Sequence, residues 1–455
     1  MNRLAKLVSG PLVFIGILLL PVPSLSFAAQ TVLALTGWMA LWWILEAVPL
    51  AVTALLPLLI FPIFGAVELR PTAEVYASPI IYLFLGGFLL ALGVERWHLH
   101  QRIALAIIAA VGSNSRLLIL GFMVATAVLS MWISNTATTL MMLPIAIAIY
   151  QQFKEWVPPE IGQPFAKALL LGVAYSASIG GVATLIGTPT NLIFSAASDE
   201  ILGEPIDFLH WMQFAMPLSI VMLFVCWWYL THVAFRLGNR KVDALQQIIA
   251  EKRAALGPMT YEEKAVAVVF GVVAFFWITS SLVWQRWLPG LNDTSIAIGG
   301  AILLFLIPNK QEQGGRLMDW ATARTLPWGI LLLFGGGLSL AAGFKATGLD
   351  QWMGEQFTFL EGAPLWGILL LLIAMVNFLT EITSNVATAS VLLPIFAAIA
   401  TSLGLHPHVL MVACAITASF AFMLPVATAP NAVVFSSGEL SIKEMARAGV
   451  GLNLI

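Results

Sequence analysis

Charge is scarce in this chain. Asp, Glu, Lys and Arg make up only 10% of its 455 residues, whereas 60% are hydrophobic. No water-soluble domain has an interior large enough to hide that much apolar surface, so lipid must cover it. The formal net charge of -2 gives no basic surface for nucleic acid, and no such partner is expected. Cysteine is nearly absent. Cys226 and Cys414 sit singly inside apolar runs, which excludes a disulfide framework and leaves two inert packing thiols. No span carries a His-Glu-x-x-His, a Cys/His cluster or paired acids, so the chain is not read as an enzyme. The six His residues (His98, His100, His210, His232, His406, His408) are scattered, mostly at span ends, and do not suggest a metal centre.

A more local absence carries chemistry. Residues 117–152, 365–402 and 409–436 contain no Lys, Arg or His. An anion bound there has no side-chain cation to neutralise it. Helix N-termini supply part of the missing potential, but too little for a dianion in a low dielectric. Bound cations are the natural complement, which makes these segments a candidate cation-coupled anion site.

What is present is a duplication. Ser134-Asn135-Thr136-Ala137-Thr138 recurs as Ser384-Asn385-Val386-Ala387-Thr388, an offset of 250 (384 minus 134). The offset is the same from Pro144 to Pro394, and from Phe84-Leu85-Gly86-Gly87 to Phe334-Gly335-Gly336-Gly337. A third pairing drifts by about ten, Gly187-Thr188-Pro189-Thr190-Asn191 against Ala427-Thr428-Ala429-Pro430-Asn431. Polar, helix-breaking sequence set twice in apolar surroundings marks a duplicated transporter with its site expected between the halves. The paired glycines are read as close helix packing.

Apolar runs of transmembrane length, or near it, fall at about 10–28, 31–48, 50–65, 79–95, 166–196, 212–235, 264–286, 293–308, 328–346 and 409–436. Two more, 117–152 and 365–402, are interrupted by the Ser-Asn motifs and read as re-entrant hairpins with those motifs at their tips. Residues 1–29 hold Arg3, Lys6 and an apolar run. Ser26-Phe27-Ala28 resembles a signal-peptidase site, but a retained first helix outside the repeat is the reading adopted. The expected fold is an all-α polytopic membrane protein with an inverted repeat. One repeat covers 30–235 and the other 264–455, joined by a cytoplasmic linker at 236–263. In the linker, Asp243 to Ala255 reads as an amphipathic helix ended by Gly257-Pro258, and Thr260-Tyr261-Glu262-Glu263 as a capping box. The run at 212–235 calls for a counterpart starting near Gly449. The sequence stops at Ile455 instead, so one further span is expected in a longer chain.

Charge fixes an orientation. With a cytoplasmic N-terminus and hairpins that return to their own side, every Lys and Arg except Arg70, Arg286 and Lys345 falls in a cytoplasmic segment. The loop with Asp199, Glu200, Glu204 and Asp207 falls outside. Glu381 is the only acid inside either hairpin and is a functional candidate by default.

These motifs resemble the divalent anion:sodium symporter family, including its INDY-type dicarboxylate transporters. The resemblance spans essentially the whole chain. It rests on the two Ser-Asn motifs, on Gly187-Thr188-Pro189-Thr190-Asn191 and on Leu424-Pro425-Val426-Ala427-Thr428-Ala429-Pro430-Asn431. It implies one Na+ held by Ser130, Ser134 and Asn135 with carbonyls from Ala183 to Gly187. A second is implied at Thr380, Thr383 and Asn385 with a carbonyl near Ala427. Substrate carboxylates are implied at Asn135, Thr136, Thr188, Asn385 and Thr428, with Pro189, Ser384 and Val386 lining the same place. An elevator motion against a homodimeric scaffold is also implied. Val386 replaces the usual Thr of the second motif, removing a hydroxyl where substrate identity is set. Thr190 and Ala429 stand where a second proline is usual. The function expected is Na+-coupled import of C4-dicarboxylates such as succinate, malate or fumarate across a bacterial inner membrane. Alternatives are Na+-independent anion exchange on the same fold, or sulfate or citrate as substrate. A channel would need a continuous polar pore, which closed hairpin tips do not suggest.

Overall fold

A computed structural model describes residues 2–22, 24–111, 114–238, 243–311 and 314–455, with the backbone alone for 243–248. Of the basic residues in the linker, Arg240 and Lys241 lie outside the described residues. Among the described residues the chain is helical throughout, without strands.

The elements run α1 (Arg3–Leu19), α2 (Phe27–Leu45), α3 (Leu50–Thr53), α4 (Leu56–Ile63), α5 (Leu69–Glu74), α6 (Pro79–Arg96) and α7 (Leu99–Val111). Then come α8 (Ser115–Ser130), α9 (Asn135–Trp156), α10 (Pro159–Val182), α11 (Pro189–Leu202) and α12 (Phe208–Trp228), the last running on as a π-helical turn over Tyr229–Ala234. The linker forms α13 (Asp243–Ala255). The second half contains α14 (Tyr261–Thr279), α15 (Asp293–Leu306), α16 (Trp320–Ala323), α17 (Trp328–Thr347), α18 (Leu349–Gln356), α19 (Leu365–Thr380) and α20 (Asn385–Ser402). It closes with α21 (His408–Ala418), α22 (Ala429–Phe435) and α23 (Ile442–Asn453). The spacing of 250 recurs in helix starts: Leu99 and Leu349, Ser115 and Leu365, Asn135 and Asn385.

Local chemistry explains the boundaries. Ser26 caps α2 by accepting from the Ala29 N–H at 3.1 Å. Thr260 and Glu263 form a reciprocal capping box at the start of α14, with bonds of 2.7 and 3.2 Å. Gly257, after α13, takes a φ of +61°, where a side chain would be strained.

Three expected spans differ. The run at 10–28 is helical earlier, over Arg3–Leu19, and stops before Pro21, which cannot continue it. The run at 50–65 is two short helices, α3 and α4, because Pro57 and Pro62 remove donors from any longer one. The run at 264–286 ends as a helix at Thr279. Among the described residues, six helices or helix pairs are long and apolar enough to cross a membrane: Phe27–Leu45, Leu69–Arg96, Pro159–Val182, Phe208–Ala234, Trp328–Thr347 and Asn385–Ser402.

The chain forms two compact units. The first comprises Met1–Tyr82, Pro189–Ile206 and Pro327–Ala421. Its α1 lies along α2, with Lys6 Nζ donating to the Leu45 carbonyl at 2.8 Å. An apolar cluster of Val32, Leu35, Trp43, Phe61, Leu340 and Phe344 joins α2, α4 and α17. On it packs α20, which also meets α18 and α11. Gly336 allows α17 to approach Ala54, since a Cβ there would lie 2.6 Å from the Ala54 carbonyl oxygen.

The second unit comprises Leu83–Thr188, Asp207–Leu326 and Phe422–Ile455. Its centre is α10, buried at every position from Ala168 to Val182 and packed by α8, α9, α12 and α22. Gly86 lets α6 meet the Ala297 backbone, a Cβ there falling 2.7 Å from the Ala297 carbonyl carbon. The ion pairs Arg96–Asp319 (2.5 Å) and Arg102–Glu263 (3.1 Å) tie α6 and α7 to later segments of the same unit. In the sequence, α7 and α18 escape notice because both are shorter than a span and carry polar residues in their first turns.

Candidate functional site

Each hairpin turns on a Ser-Asn pair. The first arm, α8, stops at Ser130 and the second, α9, starts at Asn135, capped by Ser134 Oγ accepting from the Ala137 N–H at 3.3 Å. Such a cap is worth about 1 kcal/mol. It satisfies one of the first-turn amides of α9, which have no partner within the helix.

At this tip Ser130 Oγ lies 2.6 Å from Asn135 Oδ1 and 2.7 Å from the Ala177 carbonyl of α10. One hydroxyl proton serves only one of these acceptors. Three oxygens therefore converge on a spot where Ser130 is fully buried. The second hairpin repeats the arrangement. Thr380 Oγ1 lies 2.8 Å from Asn385 Oδ1 and 2.8 Å from the Ala418 carbonyl of α21. Thr380, also fully buried, ends α19, and Asn385 starts α20. Oxygen-only clusters with more acceptors than protons suit a hard cation.

The break after α10 lies against the same tip. Ala183–Thr188 is non-helical, and Thr184 Oγ1 donates to the Met131 carbonyl at 2.5 Å, fixing the break to the hairpin tip. Gly181 faces Asn135, and a Cβ there would come within 3.0 Å of Asn135 Nδ2 and closer to Oδ1. Ser130, Ser134, Asn135, Ala183 and Gly187 thus share the second unit. The other expected set is divided. Thr380, Thr383 and Asn385 belong to the first unit, and Ala427 to the second. The Thr383 hydroxyl donates to the Leu379 carbonyl (2.8 Å) or meets Thr388 Oγ1 (2.6 Å).

The expected carboxylate contacts sit at the N-termini of helices that pack on one another. In the second unit α9 packs against α22. There Asn135 and Thr136 open one helix, and Thr428 caps the other by accepting from the Asn431 N–H at 3.3 Å. Thr188, almost fully buried, belongs to this unit too. In the first unit α20 packs against α11, so Ser384, Asn385 and Val386 open one helix and Pro189 the other. Helix N-termini attract anions without a side-chain cation. Val386 lies against the apolar cluster of α2 and α17. Glu381 is buried beside the second tip.

Comparison with known proteins is decisive. Residues 1–455 match the family described as the sodium:sulfate symporter transmembrane region. The chain belongs to that family. A protein of Staphylococcus saprophyticus named sodium-dependent dicarboxylate transporter SdcS is 44% identical over 462 residues, covering 100% of this chain and 89% of the relative. Its namesake in Staphylococcus aureus strain NCTC 8325 is 43% identical with the same coverage. Two solved structures share the fold alone. MtrF of Neisseria gonorrhoeae, from a class of antimetabolite efflux pumps, aligns with TM-score 0.55 at 16% identity over 85% of this chain and 81% of its own. The YdaH transporter of Alcanivorax borkumensis aligns with TM-score 0.54 at 14% identity over 85% and 86%.

Several features of this sodium:sulfate symporter-family chain have no signature in the sequence. The Ala177 and Ala418 carbonyls join the oxygen clusters through backbone, so no side chain announces them. Thr190 Oγ1 and Ser419 Oγ, 2.5 Å apart, join α11 to α21 across 229 positions. His406 and His408, taken singly in the sequence, stand together with Glu204.

Proposed function

We propose that this symporter-family protein imports C4-dicarboxylates such as succinate, malate and fumarate, driven by Na+. The observation that carries the reading is the oxygen cluster built twice, Ser130–Asn135–Ala177 and Thr380–Asn385–Ala418, each beside helix N-termini. One Na+ is assigned to Ser130, Ser134 and Asn135 with carbonyls of Ala183 and Gly187. The other is assigned to Thr380, Thr383 and Asn385 with the Ala427 carbonyl. The carboxylates are assigned to Asn135, Thr136, Thr188, Pro189, Ser384, Asn385, Val386 and Thr428. The relatives named as sodium-dependent dicarboxylate transporters support this choice of ion and substrate.

The protein is placed in a bacterial inner membrane with its N-terminus in the cytoplasm. The bias of Lys and Arg supports that orientation. So do three ion pairs, Arg96–Asp319, Arg102–Glu263 and Lys167–Glu444, which join segments that this orientation puts on the cytoplasmic side. An elevator motion of the hairpins in a homodimer is the mechanism proposed, on the strength of the family resemblance. Sulfate is the second reading, favoured by the family's own description and by the missing hydroxyl at Val386.

Uptake by proteoliposomes tests the proposal. With no internal anion and an inward Na+ gradient, labelled succinate should accumulate, and excess sulfate should not displace it. Asn135→Ala and Asn385→Ala should each reduce uptake to the level of empty vesicles while expression is kept. Uptake indifferent to Na+, or seen only with an internal dicarboxylate, defeats the proposal.

A further inference from the structure

The first unit carries a second, separate cluster of metal-ligating groups. The half-helices α11 and α21 run beside each other and are joined by the Thr190–Ser419 contact at one end. At the other end stand Glu204, His406 and His408, with one ligand atom from each lying within 4.8 Å of the others. Two turns bring them there. Gly203, with φ of +72°, ends α11 and bonds the Asp199 carbonyl at 2.9 Å, which turns Glu204 back over the helix. Gly404, with φ of +68°, ends α20 in a Schellman turn in which the Leu405 N–H bonds the Ala400 carbonyl at 2.9 Å. His406 and His408 follow at once.

His406 Nε2 lies 3.4 Å and His408 Nε2 3.8 Å from Glu204 Oε2. Ligands at tetrahedral corners around Zn2+, with bonds of about 2.0–2.2 Å, are roughly 3.4 Å apart. Ser198, fully buried, donates its proton to the Glu204 carbonyl at 2.6 Å. Its oxygen then accepts from His408 Nε2–H, also 2.6 Å away, and a metal ion on Nε2 takes the place of that proton. Packing on Phe194 steadies the His408 ring. Two imidazoles and one carboxylate with an open fourth position form a zinc-type donor set, distinct in position and ligand softness from the all-oxygen clusters at the hairpin tips.

We infer that Glu204, His406 and His408 bind one Zn2+ or a similar transition-metal ion, fastening the end of α11 to the start of α21. Water fills the fourth position. The ion stabilises whichever state of the transporter keeps these two ends together.

The test uses the full chain, purified in detergent without a histidine tag and stripped with a chelator. Zn2+ is titrated against a chromophoric chelator, and Co2+ is added separately to read its visible absorption. One Zn2+ should bind per chain, and Co2+ should give the intense bands of a tetrahedral site. Glu204→Gln and His406→Ala, neither of which touches Ser198 through its side chain, should each weaken binding by about tenfold or more. Both variants should melt like the parent in the presence of chelator. Equal Zn2+ uptake by the parent and by the Glu204→Gln/His406→Ala double variant overturns the inference, as does a Co2+ spectrum of the hydrated ion. Because binding is read directly, a failure here leaves the transport proposal standing, and a failure of transport leaves this one standing.

Discussion

At the scale of single residues, the candidate site depends on groups that bring oxygens together without adding charge. Thr380→Val keeps the shape of the side chain and removes the hydroxyl between Asn385 Oδ1 and the Ala418 carbonyl. A hydrogen bond or ligand contact to a charged group is worth about 1.5–3 kcal/mol, so the Na+ concentration for half-maximal uptake should rise by about tenfold or more. Flux measured against Na+ at fixed succinate checks this. Gly181→Ala should do the same at the other tip, because its methyl group would displace the Asn135 amide. Val386→Thr should leave expression intact and alter the ranking of succinate, malate and sulfate in competition assays, since a donor returns at a helix N-terminus.

At the scale of elements, the sequence exposes what interrupts an apolar run and hides what merely continues one. The Ser-Asn tips stand out because polar residues at a helix break inside an apolar run serve either a site or a helix contact. The breaks at Ala183–Thr188 and before Ala429 are legible for the same reason. The helices α7 and α18 are not, because at 13 and 8 residues they fall below span length. The division of 50–65 at Pro57 was written in the sequence, but an all-apolar run outweighs two prolines when length is the criterion. Pairing of α9 with α22, and of α20 with α11, is a tertiary choice that no local pattern encodes. The start of α14 offers an element-scale test. Glu263 is buried and joins the capping box to Arg102. Glu263→Gln should therefore lower the melting temperature in detergent, with a loss of about 1–3 kcal/mol, while Na+ affinity stays unchanged.

At the scale of the whole molecule, each compact unit draws on both halves of the sequence. The hairpin α8–α9 shares its unit with α22, and the hairpin α19–α20 shares its unit with α11. A late contact closes the second unit: Lys167 of α10 meets Glu444 of α23 at 2.6 Å. The Lys167 ammonium, aided by the Ser441 N–H and hydroxyl, holds the Glu444 carboxyl down at about 2. A depressed carboxylate contributes stability that is full above its unfolded value of about 4.3 and is lost as pH falls toward the folded value. Glu444→Gln should therefore melt below the parent at neutral pH, and the gap should narrow as pH drops from about 4 toward 2. Thermal scans in detergent across that range would show it. Interleaving has a consequence for biogenesis. Residues 422–455 leave the ribosome long after residues 83–188, yet they complete the unit that those residues begin. The first hairpin must wait in the bilayer, without its neighbouring half-helix, until residues 422–455 have been made. Neither half of the gene expressed alone should yield a Na+-binding product, whereas the two halves made together in one cell should reassemble.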